Sequence, residues 1–448
     1  MMTADEHYNK MTKTPVSKLI ISLGIPTTIS MLITNIYNMA DTYFVGTLGE
    51  SQQAATGILF TLQAIIQAIA FMLGQGSGTL VSKSLANKDT EEASRYVSSA
   101  FFSGIFLGST LMVGGLIFMT PLMHLLGSTN TILPYAKDYG LWVLLACPFM
   151  VSSFVLNNNL RYEGKSFYAM IGLVTGGLLN VFLDYIFIVH INLGVFGAGM
   201  ATAISQVISF TILLFFHFKM AQATISVKFI SKKISEYFLI MKVGFPALVR
   251  QGLASLSTGI LNNLTKPYGD AAIAAMSVVN RFSSFVMCVG LGIGQGFQPV
   301  ASFNYQAGKI RRVKSGLLFT MAIGFLFIST LAIPGFIFAK DIIYIFQKSD
   351  AVVDIGTFAL RCACGGVIFL SLSVPVNMLY QSIRNVKIST FLSLLRNGLL
   401  LIPTLFISTH FLGLTGIQIS QPIADILTGL ISVPFIINFV KNTPNEDD

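Results

Sequence analysis

Charge is scarce in this chain: only 10% of its 448 residues are Asp, Glu, Lys or Arg, while 53% are hydrophobic. Soluble domains carry about a quarter charged residues, so no sizeable soluble domain fits here. Cysteine is scarce too. Cys147, Cys288, Cys362 and Cys364 all fall in apolar stretches, at spacings that exclude a zinc or disulfide framework. The five histidines, His7, His124, His190, His217 and His410, are scattered. With no metal spacing, nucleophile elbow or phosphate loop, an enzyme finds no support and no resident cofactor is expected. The amino-terminal stretch runs through Lys10, Lys13 and Lys18 into a long apolar segment without a small-residue cleavage site, so the first apolar segment is expected to be retained rather than removed as a signal peptide.

Long apolar runs are what the chain has instead. A membrane span needs roughly 20 apolar residues. Twelve candidates are read at about 18–44, 53–81, 97–123, 131–160, 166–190, 195–218, 237–264, 271–300, 315–339, 353–383, 388–411 and 414–440. The fold class is therefore an all-α membrane protein with twelve transmembrane helices. The net charge of +9 reports topology rather than nucleic acid. Twenty of the 28 Lys and Arg residues fall at alternate span ends, in clusters such as Lys83, Lys88 and Arg95, or Arg311, Arg312 and Lys314, which the positive-inside rule makes cytoplasmic. Both termini then lie inside. Arg250, Arg281, Arg361 and Arg396 fall within spans, where each either snorkels or lines a cavity.

The chain is a duplication. Shifted by 220 positions, residues 24–82 align with 244–302 without a gap, matching Gly24 with Gly244, Pro26 with Pro246, and the triplet Gly74-Gln75-Gly76 with Gly294-Gln295-Gly296. Leu193-Gly194-x-x-Gly197 recurs as Leu412-Gly413-x-x-Gly416. Each half holds six spans and keeps the same orientation. The expected organisation is an amino-terminal six-helix lobe at 1–218, a basic cytoplasmic linker at 219–236 and a carboxy-terminal six-helix lobe at 237–448. Such a duplication suits a transporter whose halves rock about a midplane site. Pro26 and Pro246, inside the first span of each half, are candidate hinges or static kinks.

The symmetry breaks at the acids. Asp41, Asp184 and Asp425 sit inside apolar stretches long enough to cross a bilayer, and a carboxylate in hydrocarbon costs about 2.5–3.5 kcal/mol on insertion scales, so it marks a polar cavity or an ion path. Asp41 corresponds to Leu261, and the eleventh span holds no acid. Asp41 lies about 35 Å along its span from Lys18, and Asp184 about 27 Å from Ser166, so both approach the outer leaflet. Asn180 shares a face with Asp184, while Ala198 and Thr202 enter the next span at similar depth. These residues form a candidate cation-coupling site. Two carboxylates there can carry a proton. Alternatively Asp41, Asn180, Asp184, Thr202 and the Ala198 carbonyl can ligate a hard cation such as Na+. A polar cluster that only glues helices is the plain alternative. Asp425 can pair with Arg396 or Arg250.

Pro26 and Asp41 in the first span, the run Asp41-Thr42-Tyr43-Phe44-Val45-Gly46, Gly74-Gln75-Gly76, and Leu160-Arg161-Tyr162-Glu163-Gly164 after the fourth span together resemble the multidrug and toxic compound extrusion (MATE) family, in its DinF-like branch. The likeness covers nearly the whole chain. It implies two pseudo-symmetric six-helix bundles, a first-lobe cation site at Asp41, Asn180, Asp184, Ala198 and Thr202, and a substrate cavity lined by Tyr37, Asn157, Asp41 and Asp184. By the span limits Asn157 falls nearer the cytoplasmic side than the others. The NorM-like branch carries acids in its seventh and tenth spans, where this chain has Asn262, Asn263 and Thr265, or Asn377 and Gln381. What the resemblance implies is export of organic, often cationic and aromatic drugs in exchange for H+ or Na+, by a monomer in the plasma (inner) membrane. A lipid-linked oligosaccharide flippase of related architecture is the alternative, which the intramembrane arginines favour and the acid pair opposes.

Overall fold

A computed structural model describes residues 3–346 and 348–444, which contain helices and no strand. A short amphipathic helix, Ala4–Lys13, precedes the spans. The first six spans are Val16–Gly46, Glu50–Ala86, Thr90–Ile117, Leu133–Tyr162, Ser166–His190 and Gly194–Met220. The seventh is Ile234–Thr265; it carries Glu236, Lys242 and Arg250, yet its 32 residues are long enough to cross. Asp270–Gln306 and Ile310–Ile337 follow as the eighth and ninth. The tenth is a bent pair, Asp350–Val367 and Leu370–Ser382, with 47° between its halves, and Val386–Leu412 and Leu414–Asn442 complete twelve. The sequence places one span at 353–383. It breaks after Gly365 and Gly366, where two weak helix formers adjoin a tight turn in which Phe369 N–H donates to the Gly366 carbonyl.

Contacts group the chain into two compact units. One comprises residues 1–11 and 29–248, the other 12–28 and 249–448. The first and seventh spans are thus each divided, and both pass from one unit to the other two residues after their proline, Pro26 or Pro246.

The glycines that reveal the duplication are the ones that permit close helix crossings within each unit. In the first unit a Cβ on Gly76 would strike the Ile240 carbonyl, and one on Gly244 the Met72 carbonyl, so the second and seventh spans meet backbone to backbone. In the second unit Gly296 lies against Gly24 and Gly292 against Thr28, which is the same crossing 220 residues on. Gly74 likewise admits the Phe154 carbonyl and Asn158 of the fourth span, as Gly294 admits Val374 and Met378 of the tenth. Small residues at helix crossings are how membrane helices gain packing when lipid is as apolar as their side chains.

The repeat continues in the polar bonds. Asn157 Nδ2 donates to the Ala169 carbonyl at 3.0 Å, and Asn377 Nδ2 to the Ser389 carbonyl at 2.9 Å, again 220 apart. The turns after these spans match as well, with Gly164 at φ 74° and Arg384 at φ 64° in the left-handed region.

Candidate functional site

The first unit brings the two acids of the first half together. The first and fifth spans approach through Gly177, whose Cβ position lies 2.9 Å from Ile33 Cγ2 and 3.0 Å from Tyr37 Cδ1. Both helices ascend from the same side, so their residues advance in register. Asp41, one turn past Tyr37, therefore stands level with Asn180 and Asp184. The sixth span is drawn in by Gly172 and Gly176, which admit Leu213 and Ser209, and Ser209 Oγ donates to the Gly172 carbonyl at 2.9 Å. Gly199 allows the same span to lie against Tyr139 and Trp142 of the fourth. Four helices thus surround one polar cluster.

Inside it Tyr139 Oη donates to Asp41 Oδ2 at 2.7 Å and lies 3.4 Å from Thr202 Oγ1. Asn180 Nδ2 donates to the same Thr202 oxygen at 3.3 Å. Asp184 is close enough to interact electrostatically with Asp41 and Tyr139. Burial is nearly complete, with Asp41 2% exposed and Asp184 0%. Yet among the described residues nothing hydrogen-bonds to Asp41 Oδ1, Asn180 Oδ1 or either oxygen of Asp184. Buried carboxylate oxygens without donors are costly unless a proton or metal ion joins them. The donor set is all hard oxygen, which suits H+ or Na+ equally.

Asp41, Asn180, Asp184 and Thr202 converge as the sequence predicts; Ala198 is buried one turn before Thr202, and Tyr37 is half-buried one turn before Asp41. Asn157 is not in this cluster. Its bond to Ala169 holds it near the start of the fifth span, about 22 Å along the helix from Asp184. Asp425 pairs with Arg396, whose Nε donates to Oδ1 at 2.7 Å. The residue that sequence reasoning missed is Tyr139. It stands 23 residues before the end of its span at Tyr162, hence about 35 Å along, the same depth as Asp41 from Lys18, and that arithmetic marks it.

At the other end of the fourth span another buried acid ties the chain together outside the spans. Glu163 accepts from the backbone N–H groups of Gln222 and Ala223, and its carbonyl bonds to His7 Nε2 at 2.9 Å. Burial pushes the Glu163 carboxyl up to about 7 against the pull of those donors. Burial also pushes His7 down to about 4, against the opposing effect of its bond to the Glu163 carbonyl.

The MatE family model matches this chain twice, over residues 26–186 and 246–407. Curated relatives include the multidrug export proteins MepA of Staphylococcus saprophyticus, 28% identical over 96% of this chain and 95% of that one, and of Staphylococcus aureus, with the same identity and coverage. Among solved structures, an outward-facing MATE family transporter of the MOP superfamily superposes with a TM-score of 0.91 at 24% identity, covering 97% of this chain and 98% of the other. A MATE in the bent conformation gives 0.89 at 24% identity, covering 97% and 98%. Those likenesses establish the fold, and the double match of one model to the two halves establishes descent: the chain is a member of the MatE family of multidrug and toxic compound extrusion transporters.

Proposed function

We propose that this protein exports organic, often cationic and aromatic compounds in exchange for an inward-moving cation, with Asp41 and Asp184 as the coupling residues. The observation that carries the reading is the buried pair of carboxylates, three of whose four oxygens lack donors among the described residues, gathered with Asn180, Thr202 and Tyr139 in the first half. Coupling requires that cation and substrate bind in mutually exclusive or conformationally linked states. A cation on Asp41 neutralises the carboxylate that Tyr139 now holds, and so changes the bonding between the first and fourth spans. The resulting strain would be relieved near Pro26, with Pro246 its counterpart.

The coupling ion is H+ or Na+, taken up at Asp41, Asn180, Asp184, Thr202 and the Ala198 carbonyl. Tyr37 lines the substrate side of the cluster. The lobes of this exporter are 1–218 and 237–448 joined by 219–236; it works as a monomer in the plasma membrane with both termini cytoplasmic. The names of the relatives, which describe drug export, support this reading over the flippase.

The experiment is transport of a fluorescent organic cation by the purified protein in proteoliposomes, with a proton or a sodium gradient imposed separately. One gradient drives transport in the wild type and not in Asp41→Asn or Asp184→Asn. Wild-type rates in Asp41→Asn would sink the assignment.

A further inference from the structure

The segment that joins the sixth span to the seventh is fastened to the third. Thr224 N–H donates to Ser94 Oγ at 2.9 Å, Ser226 N–H to Ser98 Oγ at 3.1 Å and Ser231 N–H to Ser99 Oγ at 2.9 Å. Tyr237 Oη then donates to the Ser231 carbonyl at 2.8 Å and fixes where the seventh span departs. Beyond the last of these staples the third and seventh spans leave an open trough within the first unit. It holds about 870 Å³ of space, part of it open to the surroundings, and reaches Leu73 of the second span. Its walls are Phe102, Phe106 and Leu107 on one side and Ile240 and Met241 on the other. From Ser99 to Leu107, both lining it, is about 12 Å along the helix, most of one leaflet's half of a hydrocarbon core roughly 30 Å thick.

One end of the trough is basic. Ser231 rests on Ser99 and Ile234 lines the trough, so the two exposed residues between them, Lys232 and Lys233, stand on its rim. Glu236, in the first turn of the seventh span, lies 3.5 Å from Arg95, which balances its charge. Among the described residues no acid pairs with Lys228, Lys232 or Lys233. An apolar trough nearly as long as one leaflet, with cations at its membrane-surface end, matches an acyl chain beneath an anionic headgroup. The same cations repel organic cations, which separates the trough from the export site.

We infer that the trough binds an anionic phospholipid of the cytoplasmic leaflet, with one acyl chain between the third and seventh spans and the headgroup phosphate on Lys232 and Lys233. Ile240, whose carbonyl meets Gly76, also lines the trough, so the lipid backs the crossing that holds the seventh span to the second.

Purified full-length protein in a neutral detergent is titrated with dioleoyl phosphatidylglycerol or dioleoyl phosphatidylcholine, and its thermal midpoint is followed by size exclusion. Phosphatidylglycerol raises the midpoint at a concentration about thirtyfold below that of phosphatidylcholine, the worth of two lysines at an anionic headgroup. K232Q/K233Q removes that advantage. K387Q/K441Q, which deletes two exposed lysines of the second unit, keeps it. Glycerophosphoglycerol, the headgroup without its chains, gives no shift. Ser103 also lines the trough, and S103F, which fills it, abolishes the phosphatidylglycerol shift. Equal losses in the two double variants mean that overall basic charge draws the lipid, and overturn the site. Equal potency of the two lipids on the wild type overturns it without any variant. A shift from glycerophosphoglycerol equal to that from the whole lipid leaves a phosphate site with no role for the trough, and so does an undiminished shift in folded S103F. The lysine and headgroup comparisons decide the matter whether or not S103F folds, and none of these outcomes bears on export, which is read by transport.

Discussion

Adding one methyl group at Gly244 tests the account of the fold most directly. In the structure its Cβ would strike the carbonyl of Met72, and the atoms on both sides are backbone, so no rotamer change relieves the overlap. The second and seventh spans must part or bend along the crossing that also uses Gly76 and Ile240. Overpacking of this kind costs about 1–3 kcal/mol, and a backbone obstacle places it at the upper end. At about 2–4 °C per kcal/mol for units of 150–250 residues, Gly244→Ala should lower the thermal midpoint by roughly 6–12 °C. Gly252, two turns further along the same helix, is exposed with nothing within 4 Å of its Cβ position, so Gly252→Ala should lose nothing. Gly24, the counterpart of Gly244, meets Ile293 Cα at an ordinary 3.5 Å, and Gly24→Ala should fall between the two. Heating the purified protein in detergent and measuring the surviving monodisperse fraction by size exclusion gives all three midpoints. If Gly244→Ala is no less stable than Gly252→Ala, the crossing is not backbone to backbone and the explanation of the repeat fails.

Tyr139→Phe removes the donor to Asp41 and should slow coupled transport in proteoliposomes by about tenfold or more; a rate equal to wild type would detach Tyr139 from the site. Asn157→Ala should lower the thermal midpoint by the equivalent of about 1 kcal/mol while the ion dependence of transport stays as in the wild type; lost coupling would place Asn157 in the ion path after all. Arg396→Met strands Asp425 in the interior and should destabilise by about 3–5 kcal/mol, most of which the added change Asp425→Leu restores. The acid limb of stability gives a signed test, since folded Glu163 holds its proton up to about 7 against an ordinary 4.5, and folded His7 sheds its own at about 4 against 6.5. Between about 4.5 and 6.5 the first makes stability fall as pH rises and the second makes it rise, so His7→Gln should show a fall and Glu163→Gln a rise in midpoints measured across that window.

The helical class, the duplication and the convergence of Asp41, Asn180, Asp184 and Thr202 were legible because they depend on local quantities: apolar length, a constant shift and depth along a helix. Tyr139 was not, since a tyrosine near the end of a span reads equally as an interfacial anchor. Only a depth comparison between the fourth span and the first separates the two roles. The bond from Asn157 to Ala169 depends on how the fourth and fifth spans pack, which composition does not encode. The division of the first and seventh spans between two units was hidden for the same reason, although its cause was visible: Gly24, Gly76, Gly244 and Gly296 were the very identities that exposed the repeat. The bend of the tenth span had a visible marker in Gly365-Gly366, masked by the apolar residues around it.

Residues that survive the 220-residue shift and residues that do not divide cleanly by task. Gly74 with Gly294, Gly76 with Gly296, Pro26 with Pro246 and Asn157 with Asn377 all recur, and each is a crossing, a kink or a staple between spans. The ionisable groups deep within the spans do not recur. Asp41 falls on Leu261, Tyr139 on Ala359, and Asp184 opposite Pro403 and Thr404, while Arg250 falls on Ser30 and Arg396 on Gly176. A twofold frame needs the same packing in both halves, because each half must close the same kind of crossing against lipid. Chemistry escapes that constraint, since a buried charge is kept only where it binds or moves something. The division makes Asn377 informative: it keeps the staple of Asn157 and also accepts from Arg250, so Asn377→Leu should lower the thermal midpoint more than Asn157→Leu does. Equal losses from the two changes would show that the bond from Arg250 adds nothing to the staple that the halves share.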